Sequence, residues 1–220
     1  MIARVLTTGL IAGLIAGLAV AALQHFTTTP LILAAEVYET AQHAHEGAEA
    51  GPAYSGVSRT MATSVATVAV SIGYALILLA AMLLSGDAIA PRRAALWGAC
   101  AFAATGLATS LGLAPQLPGM AETDLAARQI WWLATALSTS AGLFALLRLD
   151  SAAAKIAGVA LIVAPQFFAP QPATPESTAP AELAARFAAS SLAVQAIAWA
   201  LAGALVGLIW RLLSHEQEAS

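Results

Sequence analysis

Apolar residues run almost without interruption through six stretches of the chain: Val5 to Leu23, Met61 to Leu84, Ala94 to Leu113, Ile130 to Leu147, a shorter run from Ile156 to Phe168, and Leu192 to Leu213. Crossing the hydrocarbon core of a bilayer as a helix takes about 20 apolar residues. Five of the runs meet that length. Ile156 to Phe168 is short and carries Pro165 near its end. It reads either as a re-entrant segment or as a span that opens with a snorkelling Lys155.

Charge placement favours six crossings. With six, one side of the membrane holds Arg4, Arg92, Arg93, Arg148, Lys155 and Arg211, while the other holds only Arg59, Arg128 and Arg186. This is the positive-inside pattern, and it puts both termini in the cytoplasm. Five crossings would move Arg211 outside. The prediction is therefore an all-α polytopic membrane protein, a single transmembrane domain over 1–220, with six (alternatively five) transmembrane helices arranged as three hairpins. Its connections are a long outer loop at 26–60 with a possible helix, a cytoplasmic loop at 85–93, an outer Pro/Gly loop at 114–129, a cytoplasmic loop at 148–155 and an outer Pro-rich loop at 169–187. The first run follows Arg4 and ends in small residues like a signal peptide, but it is longer than the usual apolar region of one and is expected to stay.

Composition agrees: 60% of residues are hydrophobic and 10% charged, far from a soluble domain. The single cysteine, Cys100, lies inside an apolar run and excludes an internal disulfide or a cysteine-rich metal site. The net charge is -3 and the basic residues are scattered, so nothing marks a nucleic-acid partner.

Within the runs, Gly9, Gly13 and Gly17 are spaced by four, which clears one helix face for close approach of another backbone, and Gly203 and Gly207 repeat the spacing. No acidic residue lies inside a span, which argues against a buried carboxylate proton relay. Polar chemistry is then expected near the outer helix ends. There the chain writes APQ and then LAAR twice, at 114–116 with 125–128 and at 164–166 with 183–186. Each hairpin has a Pro after its outgoing helix (Pro30, Pro115, Pro165), then acids, then an Arg entering the return helix (Arg59, Arg128, Arg186). The pattern reads either as repeated hairpins, a common transporter construction, or as coincidence in an Ala-rich chain. If repeated, Arg128 should pair with Asp124 or Glu122, and Arg186 with Glu182.

The first outer loop is the most chemically suggestive. As a helix from Leu31 it sets Glu36, Glu39, His43 and Glu46 three and four apart on one face, with His45 and Glu49 beside them. Carboxylates with imidazole suit borderline divalent ions such as cobalt, nickel, zinc or iron. The same spacing also describes an amphipathic helix whose polar face is merely wet. His25, at the end of the first span, is either a further ligand or an interfacial residue. In the second outer loop, Pro115, Pro118 and Gly119 impose a fixed irregular path, and Trp131 and Trp132 suit an interfacial aromatic belt.

The block GLAPQLPGMAETDLAARQIWW, with the early PLILAAEVYE, a His-containing loop and SGVSRT opening the second span, resembles the CbtA family, the membrane subunit of predicted cobalt transporters. The resemblance covers nearly the whole chain. It implies import of cobalt(2+) across the bacterial inner membrane, beside a small His-rich one-span partner, CbtB, and often under cobalamin control. Within the resembling blocks Gln116, Met120, Glu122, Asp124, Arg128, Gln129, Trp131 and Trp132, with Arg59, are expected as pathway or structural positions, and the hairpin pattern adds Glu182 and Arg186. Family members commonly carry Glu where this chain has Gln116 and Trp near Tyr54, so a hard ligand is missing at 116. Besides the lipid bilayer and that subunit, a second copy of the chain stays open as a partner. No covalently bound cofactor is expected. No G-x-x-x-x-G-K-[ST] loop is present to bind ATP, and no Ser/His or His-cluster constellation falls at membrane depth. The leading reading is a non-enzymatic permease. A non-transporting scaffold of a metal-uptake system is the alternative.

Overall fold

Each predicted run is helical over all or nearly all of its length. The computed structural model describes residues 2–46, 56–121, 123–172 and 177–218, and within them the side chains of 39–46, 56–58 and 215–218 lie outside the description. The helices are α1 (Ile2–Phe26), α2 (Thr28–Glu46), α3 (Gly56–Leu84), α4 (Pro91–Phe102), α5 (Ala108–Gly112), α6 (Leu125–Arg148), α7 (Ala152–Val163) and α8 (Ala181–Glu218). A π-helical stretch, Ala103–Leu107, joins α4 to α5, and a 3-10 stretch, Ala164–Phe168, extends α7. There are no strands among the described residues.

Five helices are long and apolar enough to cross a membrane: Ile2–Phe26, Arg59–Leu84, Pro91–Gly112, Leu125–Arg148 and Ala181–Ser214. The segment Ala152–Phe168 is shorter. Its 12 α residues and 5 tighter 3-10 residues still give a length of roughly 28 Å, close to a hydrocarbon core of about 30 Å.

Capping sets the helix ends and corrects the expected loops. Asp124 accepts a hydrogen bond from Ala127 N at 2.7 Å and starts α6 at Leu125, so the loop expected over 114–129 is helical from there on. Ala184 N reaches Pro180 O at 3.1 Å, so 181–187 belongs to α8 rather than to the loop placed at 169–187. Ser151 caps α7 in the same way as Asp124. At the end of α3 the amides of Gly86 and Asp87 bond back to Leu83 O and Met82 O, with Gly86 at φ 67°. That left-handed residue closes a Schellman motif.

The chain packs as two compact units. The first comprises Met1–Thr27, Pro52–Ala99 and Ala193–Ser220. Here α1 lies antiparallel on α3: a Cβ on Gly9 would strike Leu76, on Gly13 Ile72, and on Gly17 Val68 Cα at 2.7 Å. The four-residue glycine spacing thus serves this close approach. Gly203 and Gly207 play the same part against α4, where added Cβ atoms would meet Ala94 O at 2.6 Å and Pro91 Cα at 2.5 Å. Arg4 donates to Trp210 O at 2.7 Å and to Ser214 Oγ, with its guanidinium 3.9 Å from the Trp210 ring centre. Asp87 accepts from Arg93 at 3.1 Å and from Trp97 Nε1 at 2.9 Å, fixing the α3–α4 turn. Large apolar side chains such as Leu10, Leu14 and Leu18 remain exposed along α1, away from the glycine face. Such a surface fits a lipid surrounding.

The second unit comprises Thr28–Gly51 and Cys100–Leu192. Its centre is the antiparallel pair α6 and α7. Gly142 and Gly158 face each other, each where a Cβ would meet the other's carbonyl oxygen, at 2.6 and 2.8 Å. Ser138 Oγ donates to Leu161 O at 2.5 Å, and Trp131 Nε1 to Pro165 O at 2.8 Å. The short helix therefore follows α6 nearly to its first turns.

Candidate functional site

The richest polar geometry lies at the loop end of the second unit, where residues 113–121 and 177–180 meet. Leu117–Met120 is a turn closed by Met120 N to Leu117 O at 3.3 Å, with Pro118 then Gly119 at its centre. Gly119 has φ 75°, which a type II turn requires there. Its carbonyl accepts from Thr178 N at 2.8 Å and Thr178 Oγ1 at 3.0 Å, and a Cβ on Gly119 would strike that hydroxyl. Both expected outer loops are thus laced together through one glycine. The Met120 thioether accepts from Leu117 N at 3.1 Å, which gives it a structural task.

Apolar packing seats this turn. Ala35, Leu117 and Phe187 form a buried cluster, ringed by Leu31, Ile32, Met120 and Leu183. The first turns of α2 are thereby pressed onto the Pro-Gly turn, which brings half-buried Glu36 to the same end of the unit as Gln116 and Arg128.

Gln116 accepts a hydrogen bond from Arg128 Nη1 and donates to Ala121 O at 3.3 Å. The Arg128–Asp124 pair expected from the sequence is not what forms: Asp124 spends its carboxylate on the helix cap, and the guanidinium reaches back to the loop amide. Arg186 does pair with Glu182, at 2.7 Å, but both side chains are more than two-thirds exposed. Glu122 lies outside the described residues.

The repeat motif dissolves at the level of backbone. Pro115 and Gln116 lie in irregular loop after Leu113, whereas Pro165 and Gln166 lie inside the 3-10 stretch. Leu125 is the first residue of α6 and Leu183 the third of α8, so the two LAAR segments enter their helices out of register.

The Trp pair also divides. Trp132 is exposed, as an interfacial belt residue would be, but Trp131 is only 6% exposed and lies where Gly112 leaves it room. It is an internal anchor. Gln129 is exposed. Arg59 is exposed on α3 in the first unit, as is His25 at the end of α1, in edge contact with Phe26. Glu39, His43, His45 and Glu46 lie on α2, which is helical through Glu46, but their side-chain contacts lie outside the described residues. Among the described residues no group of three or more His, Cys, Asp or Glu could hold a metal ion.

The sequence reading passed over several buried oxygens. Thr109, Thr135 and Thr139 are at most 3% exposed. Gln166 donates to Ala108 O at 3.1 Å while its own Oε1 is buried without a partner. The signal was available: Thr135 and Thr139 follow Trp131 at the four-residue spacing of one helix face.

A family model described as a probable cobalt transporter subunit (CbtA) matches residues 2–211. No curated protein and no solved structure matches the chain. With helices that fit a multi-pass membrane protein and a family match over nearly its whole length, the chain belongs to the CbtA family of probable cobalt transporter subunits.

Proposed function

We propose that this chain carries cobalt(2+) inward across the bacterial inner membrane, with both termini in the cytoplasm and capture at the opposite face. The observation that carries the reading is the family match over residues 2–211, on a chain whose long helices are apolar enough to cross a bilayer. The excess of Lys and Arg on one side of the spans supports the orientation.

Capture rests on α2. Its His43 and His45, with Glu36, Glu39 and Glu46, supply neutral imidazole and carboxylate donors of the type borderline divalent ions take, and the acids raise the local cation concentration. His25 is a further donor in this reading. The packing of Ala35 on Leu117 gives α2 a defined path to the loop end of the second unit. The amide that replaces a carboxylate at Gln116 is engaged with Arg128, so that position orients the loop and does not ligate. A small His-rich CbtB-like subunit would deliver the ion or complete the path.

Replacing His43 and His45 together with Ala tests the capture step. Cobalt uptake should fall several-fold when the metal is limiting and recover when it is plentiful. Uptake that is unchanged at limiting cobalt would leave α2 a solvated face.

A further inference from the structure

Arginines gather at the end of the first unit where α1 begins and α8 closes, and two of them are already engaged. Arg4 is held on Trp210 O, Ser214 Oγ and the Trp210 ring, and Arg93 on Asp87, which also accepts from Trp97 Nε1. Arg92 and Arg211 differ. Both are exposed, and neither makes an ion pair or hydrogen bond among the described residues. Each stands at the edge of an apolar span, Arg92 at the start of Pro91–Gly112 and Arg211 near the end of Ala181–Ser214. A guanidinium at that depth reaches for the headgroup layer.

Helix packing brings these two side chains to one place. α4 and α8 run antiparallel with their backbones in touch over successive turns: a Cβ on Gly98 would meet Trp199 O at 2.5 Å, on Gly203 Ala94 O at 2.6 Å, and on Gly207 Pro91 Cα at 2.5 Å. Arg92 follows Pro91 directly, and Arg211 lies one turn, about 6 Å of rise, beyond Gly207. The inward flank of this seam is closed by Ala94, Ala202 and Val206, each at most 1% exposed. The outward flank is open. There α4 presents Arg92, Ala95 and Ala99, and α8 presents Ala200, Ala204 and Arg211, all exposed and at helical spacings. Leu96 and Leu208, 58% and 38% exposed, rise on either side. The result is a shallow trough with an alanine floor and two guanidinium groups at its mouth.

We propose that this trough binds an anionic phospholipid of the leaflet on the side of the two termini, with the phosphate held between Arg92 and Arg211 and an acyl chain laid along the alanines. Charge complementarity selects the occupant. Asp87 is engaged by Arg93, so the mouth carries two uncompensated positive charges, which an anionic headgroup answers better than a zwitterionic one with its own ammonium. The guanidinium fork matches the oxygens of a phosphate. The apolar trough then favours a lipid over a free phosphate ion, because the chain adds buried apolar area that the ion lacks. Bound there, the lipid ties α4 to α8 on the flank where glycines leave no side chains to interlock. The site rests on the membrane spans and is independent of what the chain transports.

The test takes the purified full chain in detergent with added phosphatidylglycerol or phosphatidylcholine, and reads bound lipid by native mass spectrometry beside thermal unfolding. Phosphatidylglycerol should be retained about tenfold better than phosphatidylcholine, on the scale that two arginines exert on an anionic headgroup, and should raise the unfolding temperature. Arg92→Gln with Arg211→Gln should reduce retention to the phosphatidylcholine level while unfolding as the wild type does without lipid. Ala99→Leu with Ala204→Leu, which fills the trough and keeps both charges, should also lose the preference. Arg148→Gln with Lys155→Gln, which removes two charges from the second unit, should keep it. Wild-type retention in the Arg92 and Arg211 pair would overturn the site. So would an equal loss in the Arg148 and Lys155 pair, which would reduce the effect to general surface charge. Unchanged retention in the filled trough, or stabilisation by inorganic phosphate that matches phosphatidylglycerol, would overturn the seated lipid.

Discussion

The indole of Trp131 donates to the carbonyl oxygen of Pro165 at 2.8 Å, pinning the far end of the short apolar segment to the first turns of α6. Pro165 has no amide proton to continue a helix, and its carbonyl, inside a 3-10 turn, gains the partner it needs from a side chain on the neighbouring helix. This bond explains how a segment that looked too short to cross can still run the length of its neighbour.

Trp131→Phe should therefore keep the ring over Gly112 but lose the hydrogen bond, lowering stability by about 1–2 kcal/mol. Trp131→Ala should cost about 3–5 kcal/mol because it also opens a cavity. Unfolding in detergent, followed by near-ultraviolet circular dichroism, measures both. Equal and negligible losses would mean that the pin is not needed.

The glycines of the first unit give a sharper contrast. A Cβ on Gly13 would strike the Ile72 backbone, whereas on Gly73 it would meet nothing within 4 Å. Gly13→Ala should separate α1 from α3 and reduce folded protein, while Gly73→Ala should be neutral or gain up to about 1 kcal/mol of helix propensity. Comparing the two by yield and melting temperature checks the assignment. The reverse order would refute the close approach.

At the loop end, Arg128→Ala removes the partner of Gln116, and Asp124→Ala removes a helix cap worth about 1 kcal/mol. The two side chains share no bond, and the backbone bond from Arg128 N to Asp124 O survives both substitutions, so their losses should add in the double variant. Gln116→Glu, by contrast, should strengthen the Arg128 contact, since the guanidinium would then face an opposite charge in place of a neutral amide oxygen. A double-mutant cycle measures the coupling. Rescue of Arg128→Ala by Asp124→Ala would restore the ion pair that the sequence suggests.

Much of this was legible in the chain because membrane helices write their length and packing plainly. The six apolar runs, the glycine faces at Gly9 to Gly17 and Gly203 to Gly207, and the exposed Glu182–Arg186 pair follow from local spacing. What could not be read depends on neighbours. Nothing in APQ tells that one copy is loop and the other 3-10 helix, because Pro fixes its own φ and leaves the following path to packing. Nothing adjacent to Trp131 separates it from Trp132; Gly112, nineteen positions earlier, makes the room. Arg128 chose Gln116 over Asp124 because the start of α6 claimed the carboxylate first. The π-helical stretch and the burial of Thr135 and Thr139 emerge only once helices are packed.

Accumulation of cobalt(2+) by cells producing the chain, alone and together with a small His-rich one-span subunit, measures the transport role most directly. Uptake above that of cells lacking the chain is expected, at its largest with both proteins present and reduced by His43→Ala with His45→Ala when cobalt is limiting. Cells in which both proteins reach the membrane at normal levels, yet accumulate no more cobalt than cells without them, would contradict it.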